Sequence, residues 1–316
     1  MAEGAVTKPA ASDQDGDLSY TITLPDGRKL GYAVYGSPEG KPILLHHGLA
    51  GSRLDGAAFH GLGKELNARI IGIDRPGMGL STAQPNRTLL GFAKDVEHLT
   101  NYLKLDKYAV MGISGGGPST LACAKALPAT QLKAVAVVVG LGPPDIGMSG
   151  ARIINRIGFP YGFRYCPSFL NRWFWRRDAI GRVDLTDEER LHMVLDATEK
   201  AKGTMPAKDV AVTSDVNFHR TYLRSTREAF AQGYDGVLTD AKLCCRPFGF
   251  RLEDFGDDLP IHLWYGRQDV FVPPIHGVEM AKRLGSRATL RLEDETHISL
   301  PTNYGREILE ALLKTM

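Results

Sequence analysis

Continuous apolar runs spaced by stretches of helical length constrain this chain more than any other feature. Three such runs occupy residues 42–45, 68–73 and 108–113, and a fourth, 133–139, follows a stretch that Pro118 can start as a helix and Pro128 can stop. A strand that keeps no polar alternation is buried on both faces, and helix-length spacers carry the chain back to the same edge. The pattern therefore predicts an α/β fold with a mostly parallel central sheet and helices on both faces. Ahead of these runs, residues 18–24 and 29–35 flank Pro25-Asp26-Gly27-Arg28, where Asp-Gly favours the positive φ of a tight turn and predicts an antiparallel hairpin at the sheet edge.

From about residue 143 to 235 the rhythm changes: no β-run appears, and amphipathic stretches replace it. Thr186 and Glu189 have the Thr-x-x-Glu spacing of a capping box ahead of a helix over 187–200. The segment reads as a helical insertion. The alternation resumes with a strand at 261–265, a helix at 274–284, a strand at 288–292 and a final helix at 304–314. The expected organisation is a solvated tail over 1–17, an α/β core over 18–142, the helical insertion over 143–235, and the rest of the core over 236–316.

Composition removes other classes. The 316 residues carry 38 basic and 36 acidic side chains, a net charge of +2, so the whole molecule offers no footing for a nucleic acid. The longest uncharged apolar run, 134–144, falls short of the ~18 to 20 residues of a membrane-crossing helix. Residues 1–17 hold one lysine and no arginine against four acids, unlike a signal or transit peptide, and Cys123, Cys166, Cys244 and Cys245 show no C-x-x-C spacing. These features predict reduced thiols and a cytoplasmic location. There is no P-loop, no H-E-x-x-H and no G-x-G-x-x-G opening a helix after a strand, so neither a cofactor nor a metal is expected.

The chemistry-bearing signal is Gly112-Ile113-Ser114-Gly115-Gly116, placed where the run 108–113 ends and a helix begins. A G-x-S-x-G turn at such a junction forces the serine into a strained conformation. Side chains two before and two after it would collide, and Gly112 and Gly116 fill both places. Ser114 is the expected nucleophile. His46-His47-Gly48-Leu49 follows the first run and Asp74-Arg75-Pro76-Gly77-Met78-Gly79-Leu80-Ser81 the second. With the serine turn, in this order, these segments resemble the α/β-hydrolase superfamily, in its capped esterase and proline iminopeptidase-like branch.

The resemblance implies the rest of a site. The base would be His297, directly after the last strand and before the last helix. The acid would be Asp269, after the penultimate strand, with Asp240 as the rival because some members take the acid from an earlier position. The chain order Ser114, Asp269, His297 is the family order. The backbone N–H groups of Leu49 and Gly115 would form the oxyanion hole, with Gly48 supporting the turn, and the His47 side chain would only shape it. Glu293, Asp294 and Glu295 read as solvent charges. The insertion would be a cap over the site. Within it, residues 159–175 hold eight of the chain's 26 aromatics, most of which should pack the cap onto the core. Seven arginines lie between 152 and 182 against Asp178 alone. A solvated face accounts for them, and contact with an anionic membrane surface or an acidic partner is the alternative.

The expected activity is hydrolysis of an ester, thioester or lactone of a moderately apolar small molecule. The competing readings on the same site are a C–C bond hydrolase, an aminopeptidase, a lyase, cyclase or isomerase of secondary metabolism, and a ligand receptor without turnover.

Overall fold

The computed structural model describes residues 18–256 and 258–316; the expected 1–17 tail lies outside the described residues. Eight strands form one sheet: β1 Leu18–Thr23, β2 Lys29–Gly36, β3 Lys41–His46, β4 Ala68–Ile73, β5 Tyr108–Ile113, β6 Leu132–Val138, β7 Ile261–Gly266 and β8 Ala288–Glu293. Their spatial order is β1-β2-β4-β3-β5-β6-β7-β8. The strands β3 to β8 are mutually parallel, and β2 runs antiparallel to both β1 and β4. The apolar runs are where burial is complete: Ile43, Leu44, Ile70, Ile71, Val110, Met111, Val135 and Val137 are sealed from solvent. In the β1–β2 turn only Gly27 takes a positive φ, 84°, and Asp26 does not.

Three helices before the insertion, α1 His60–Glu65, α2 Leu89–Tyr102 and α3 Gly117–Ala126, belong to the core. Between β6 and β7 lie α4 Ile153–Ile157, α5 Phe163–Tyr165, α6 Ser168–Trp175, α7 Asp187–Ala201, α8 Ala207–Thr213, α9 Val216–Ala229 and α10 Asp235–Cys244. The C-terminal helices are α11 Ile275–Leu284, α12 Ser299–Asn303 and α13 Gly305–Leu313. On one face of the sheet Leu44, Ile71, Val110 and Leu263 pack with Phe92 and Val96 of α2, Leu121 of α3 and Met280 of α11. On the other, Ile43, Ile70, Met111 and Trp264 pack with Leu300 of α12 and Ile308 and Leu312 of α13. The capping box of α7 is present, with Thr186 N–H donating to Glu189 at 2.8 Å and Glu189 N–H to Thr186 Oγ1 at 3.3 Å.

The helices between β6 and β7 are tied to the loops that leave β3 and β4. Trp175, Phe230, Val237 and Leu238 close over Ala50 and Met78, and Arg53 bridges Asp74 at 3.0 Å to Glu228 of α9 at 2.7 Å. They therefore stand at the C-terminal ends of the parallel strands, the side where open α/β sheets place their sites. Residues 236–244, read as part of the returning core, continue the helical segment within α10, so no strand end carries Asp240.

Two expectations about side chains need correction. Of the eight aromatics in 159–175, Tyr161, Tyr165, Phe169, Trp173 and Phe174 are exposed, and only Trp175 is buried. The cause is helix geometry: on α6 Trp175 turns inward to Phe230, while the three- and four-residue spacing of Phe169, Leu170, Trp173 and Phe174 gives them a common outer face. Glu295 is not a solvent charge either. It is 6% exposed and accepts from the Ser299 hydroxyl and, at 3.2 Å, from Asn303, which anchor the loop between β8 and α12.

Candidate active site

Three loops at the strand ends converge. The first leaves β5 and enters α3, and its lead residue, Ser114, holds φ at 53°, a left-handed conformation that costs a non-glycine residue about 1 to 3 kcal/mol. Neighbouring backbone leaves no room for side chains on either side. A Cβ on Gly112 would stand 2.0 Å from Thr120 Oγ1 and 2.7 Å from Gly116 O, and one on Gly116 would stand 2.3 Å from His46 O. The turn thus thrusts the Ser114 side chain outward from the strand end.

The second loop leaves β7 and carries Asp269, 3% exposed. Its Oδ1 accepts the N–H groups of Phe271 at 2.8 Å and Val272 at 2.9 Å, which fixes the plane of the carboxylate. Its Oδ2 lies 2.7 Å from Nδ1 of His297, on the third loop, and the opposite ring nitrogen, Nε2, lies 2.9 Å from Ser114 Oγ. With Asp269 charged, Nδ1 carries the proton and Nε2 is free to accept from the serine hydroxyl. The Phe271 ring lies 5.5 Å from the imidazole and covers one side of it. Helix α8 braces the histidine loop: Thr296 donates to Asp209, and Lys208 donates to the Asp294 carbonyl and lies 3.3 Å from Glu295.

Across from the serine stands the loop that leaves β3. A Cβ on Gly115 would meet the Leu49 nitrogen at 2.7 Å, so the Leu49 backbone packs directly against Gly115, and a Cβ on Gly48 would stand 3.7 Å from the Ser114 Cβ. Neither N–H donates to an acceptor among the described residues. Gly115 also opens the helical turn into α3, whose positive end faces the same spot. The arrangement offers two unspent donors beside a hydroxyl that is hydrogen-bonded to a base. It can receive a negative oxygen as a nucleophile adds to a carbonyl.

Asp240 is not part of this constellation. It is 2% exposed on α10 and engaged by two arginines, Arg75 at 2.7 Å and Arg87 at 3.0 Å. Arg75 in turn donates to the carbonyls of His47 at 2.6 Å and Gly48 at 3.0 Å. His47 is sealed from solvent, with burial holding its pKa well below the usual range, and its Nδ1 donates to Gly48 O at 2.8 Å. Sequence reading missed Arg75, Arg87, Phe271 and α8. The arginines are anonymous in composition, and only Arg75, inside the Asp74–Ser81 segment, lay in a motif that could have flagged it.

Among the described residues no cluster of His, Cys, Asp or Glu is arranged to hold a metal ion, and no helix is long and apolar enough to cross a membrane.

Comparison with known proteins gives the architecture its context. The profile of the alpha/beta hydrolase fold matches residues 41–304. Over 112 residues, 34% of this chain and 35% of the relative, the chain is 32% identical to a proline iminopeptidase of Xylella fastidiosa. It is 32% identical over 108 residues to an uncharacterized hydrolase of Bacillus subtilis, a match covering 37% of that protein. The matched stretch thus spans about a third of the length of either curated relative. Among solved structures, an esterase from Exiguobacterium antarcticum superposes with a TM-score of 0.62 at 17% identity, covering 93% of this chain and 98% of its own. An esterase from Rhodococcus sp. does so at 0.63 and 18%, covering 95% and 100%. At these identities the likeness is one of fold.

Proposed function

This chain belongs to the α/β-hydrolase fold family, and from that premise we propose that it is a serine hydrolase. Its substrate would be an ester, thioester or lactone of a moderately apolar small molecule, cleaved through an acyl-enzyme. One observation carries the reading: the unbroken relay from Asp269 through His297 to Ser114, at 2.7 and 2.9 Å, beside the backbone of Leu49 and Gly115.

In this account Ser114 Oγ adds to the substrate carbonyl carbon while Nε2 of His297 takes the hydroxyl proton, a transfer typically worth ~10²- to 10⁴-fold. The carbonyl oxygen becomes an anion held by the N–H groups of Leu49 and Gly115, each donor worth roughly 10²- to 10³-fold. Asp269 keeps the imidazole in the productive tautomer and balances the imidazolium. The tetrahedral species collapses, the alcohol or thiol leaves with the proton from His297, and an acyl-Ser114 ester remains. Water then repeats the sequence, giving its proton to His297 and releasing the acid and the free serine. Helices α4 to α10 serve as the cap that shapes the acyl pocket.

The match to a proline iminopeptidase raises the aminopeptidase reading, in which a carboxylate must grip the substrate amine. The buried acids beside the histidine loop are already engaged, Glu295 by Ser299, Asn303 and Lys208, and Asp209 by Thr296. The test is a panel of esters, thioesters, lactones, β-diketones and prolyl arylamides with product identification. Release of a carboxylic acid from the first three groups supports the proposal. Turnover confined to diketones or arylamides, or a rearranged product with no acid released, refutes it.

A further inference from the structure

We propose that the face formed by α4, α5 and α6 docks on an anionic lipid surface. This interaction is separate from the hydrolytic reading and does not depend on it. Among the described residues thirteen large apolar side chains are exposed, and nine of them fall between Ile153 and Phe174. Ile153, Ile154 and Ile157 on α4 are 57 to 72% exposed, and Phe169, Trp173 and Phe174 on α6 are 44 to 65% exposed. Isolated exposed apolar residues are ordinary, but nine within one continuous segment, 153–174, mark a surface that something covers.

Charge says what covers it. Residues 152–177 contain six arginines and no acid. Among the described residues only Arg172 of the six is paired with a carboxylate, Asp235 at 2.6 Å. A second copy of the chain meeting this face through a two-fold axis would set six arginines against six, so self-association is disfavoured and an anionic partner is required. The pairing of rings and guanidinium groups fits an interface between water and lipid. Arg177 lies 3.9 Å over the Trp173 ring and Arg164 lies 5.1 Å over Tyr165, so an apolar ring reaches outward with a cation against it. Aromatic and aliphatic tips enter the acyl boundary while arginines stay at the phosphates, the combination that holds a helix in the plane of a membrane surface. An acidic protein would satisfy the arginines but has no need of nine protruding apolar side chains.

The face also begins beside the candidate active site. The Arg152 N–H donates to Val270 O at 2.9 Å and its guanidinium lies over Phe271, the ring against His297.

The experiment uses the full chain and vesicles of phosphatidylcholine, alone or with about a third phosphatidylserine. Trp173 is the natural reporter, because Trp175 and Trp264 are only 6% and 2% exposed. Cosedimentation with the anionic vesicles and a blue shift of emission are expected, both weakened by salt, with at least about tenfold weaker binding to the neutral vesicles. The pair Arg156→Glu and Arg177→Glu should weaken anionic binding about tenfold or more, and the pair Phe169→Ser and Trp173→Ser should abolish cosedimentation. Circular dichroism and melting temperature show whether each variant is folded. Equal binding to both vesicle types overturns the proposal. So does absence of binding to either by folded protein, sedimentation as a dimer that the Phe169→Ser and Trp173→Ser pair dissociates, or binding to polyglutamate without binding to anionic vesicles.

Discussion

Arg75 and Asp240, 165 positions apart in the chain, form a buried ion pair at 2.7 Å, and the same guanidinium holds the carbonyls of His47 and Gly48. The pair therefore ties down the loop that leads from β3 into Leu49. A carboxylate that looked like a candidate acid instead holds the arginine that grips this loop.

This separates the roles of the two aspartates. Asp240→Asn leaves Arg75 and Arg87 buried with too little negative charge and should cost roughly 3 to 5 kcal/mol in unfolding free energy. Asp269→Asn should instead lower kcat about 10⁴-fold by favouring the wrong histidine tautomer, with far less loss of stability. Urea titrations beside ester kinetics check both. The reverse pattern would return Asp240 to the relay.

The serine turn should tolerate no side chain at its glycines. Gly116→Ala drives a Cβ to within 2.3 Å of a backbone carbonyl that cannot swing away, and Gly112→Ala meets both Thr120 and Gly116. Each change is expected to destabilise by about 1 to 3 kcal/mol or more and to displace Ser114, lowering kcat as well. Melting temperature and burst kinetics read the two effects separately.

Acid should weaken the fold through buried histidines. Burial, aided by the nearby Arg75 charge, pushes His46 down to about 3, and burial pushes His276 down to about 4. An unfolded histidine binds its proton near pH 6.5, so below that value the unfolded chain holds more protons than the folded one. The stability present above pH 6.5 is then lost as pH falls. Asp55, raised by burial to about 6, acts oppositely between there and its ordinary value of 3.8. Between about pH 7 and about pH 5.5 a net decline is expected, and His276→Gln should remove about 1 kcal/mol of it. Urea titrations at the two pH values check this, and an unchanged decline in the variant contradicts it.

Much of the fold was legible because β3 to β6 are apolar runs that can be satisfied only by burial on both faces. Ser114 was legible because its glycines are required locally, whatever the rest of the chain does. Asp269 and His297 had no such local signature, and only the resemblance to the α/β-hydrolase superfamily gave their position after particular strands a meaning. What stayed hidden is tertiary. Val237 and Leu238 beside Asp240 suit a strand end as well as the helix they occupy, and nothing near them names Arg75 as the partner. Glu295 reads as one more acid in an acidic run until Ser299 and Asn303 fold back onto it. The outward face of Phe169, Trp173 and Phe174 defies composition, since large rings are expected inside, and only the orientation of α6 against Phe230 decides which ring is buried.

Active-site labelling with a fluorophosphonate, read by mass spectrometry of the modified peptide and paired with ester turnover, asks whether Ser114 is the nucleophile. One phosphonylated residue, Ser114, is expected, with loss of both labelling and turnover in Ser114→Ala. Ester hydrolysis at the wild-type rate in folded Ser114→Ala, or labelling at another serine with Ser114 untouched, would contradict it.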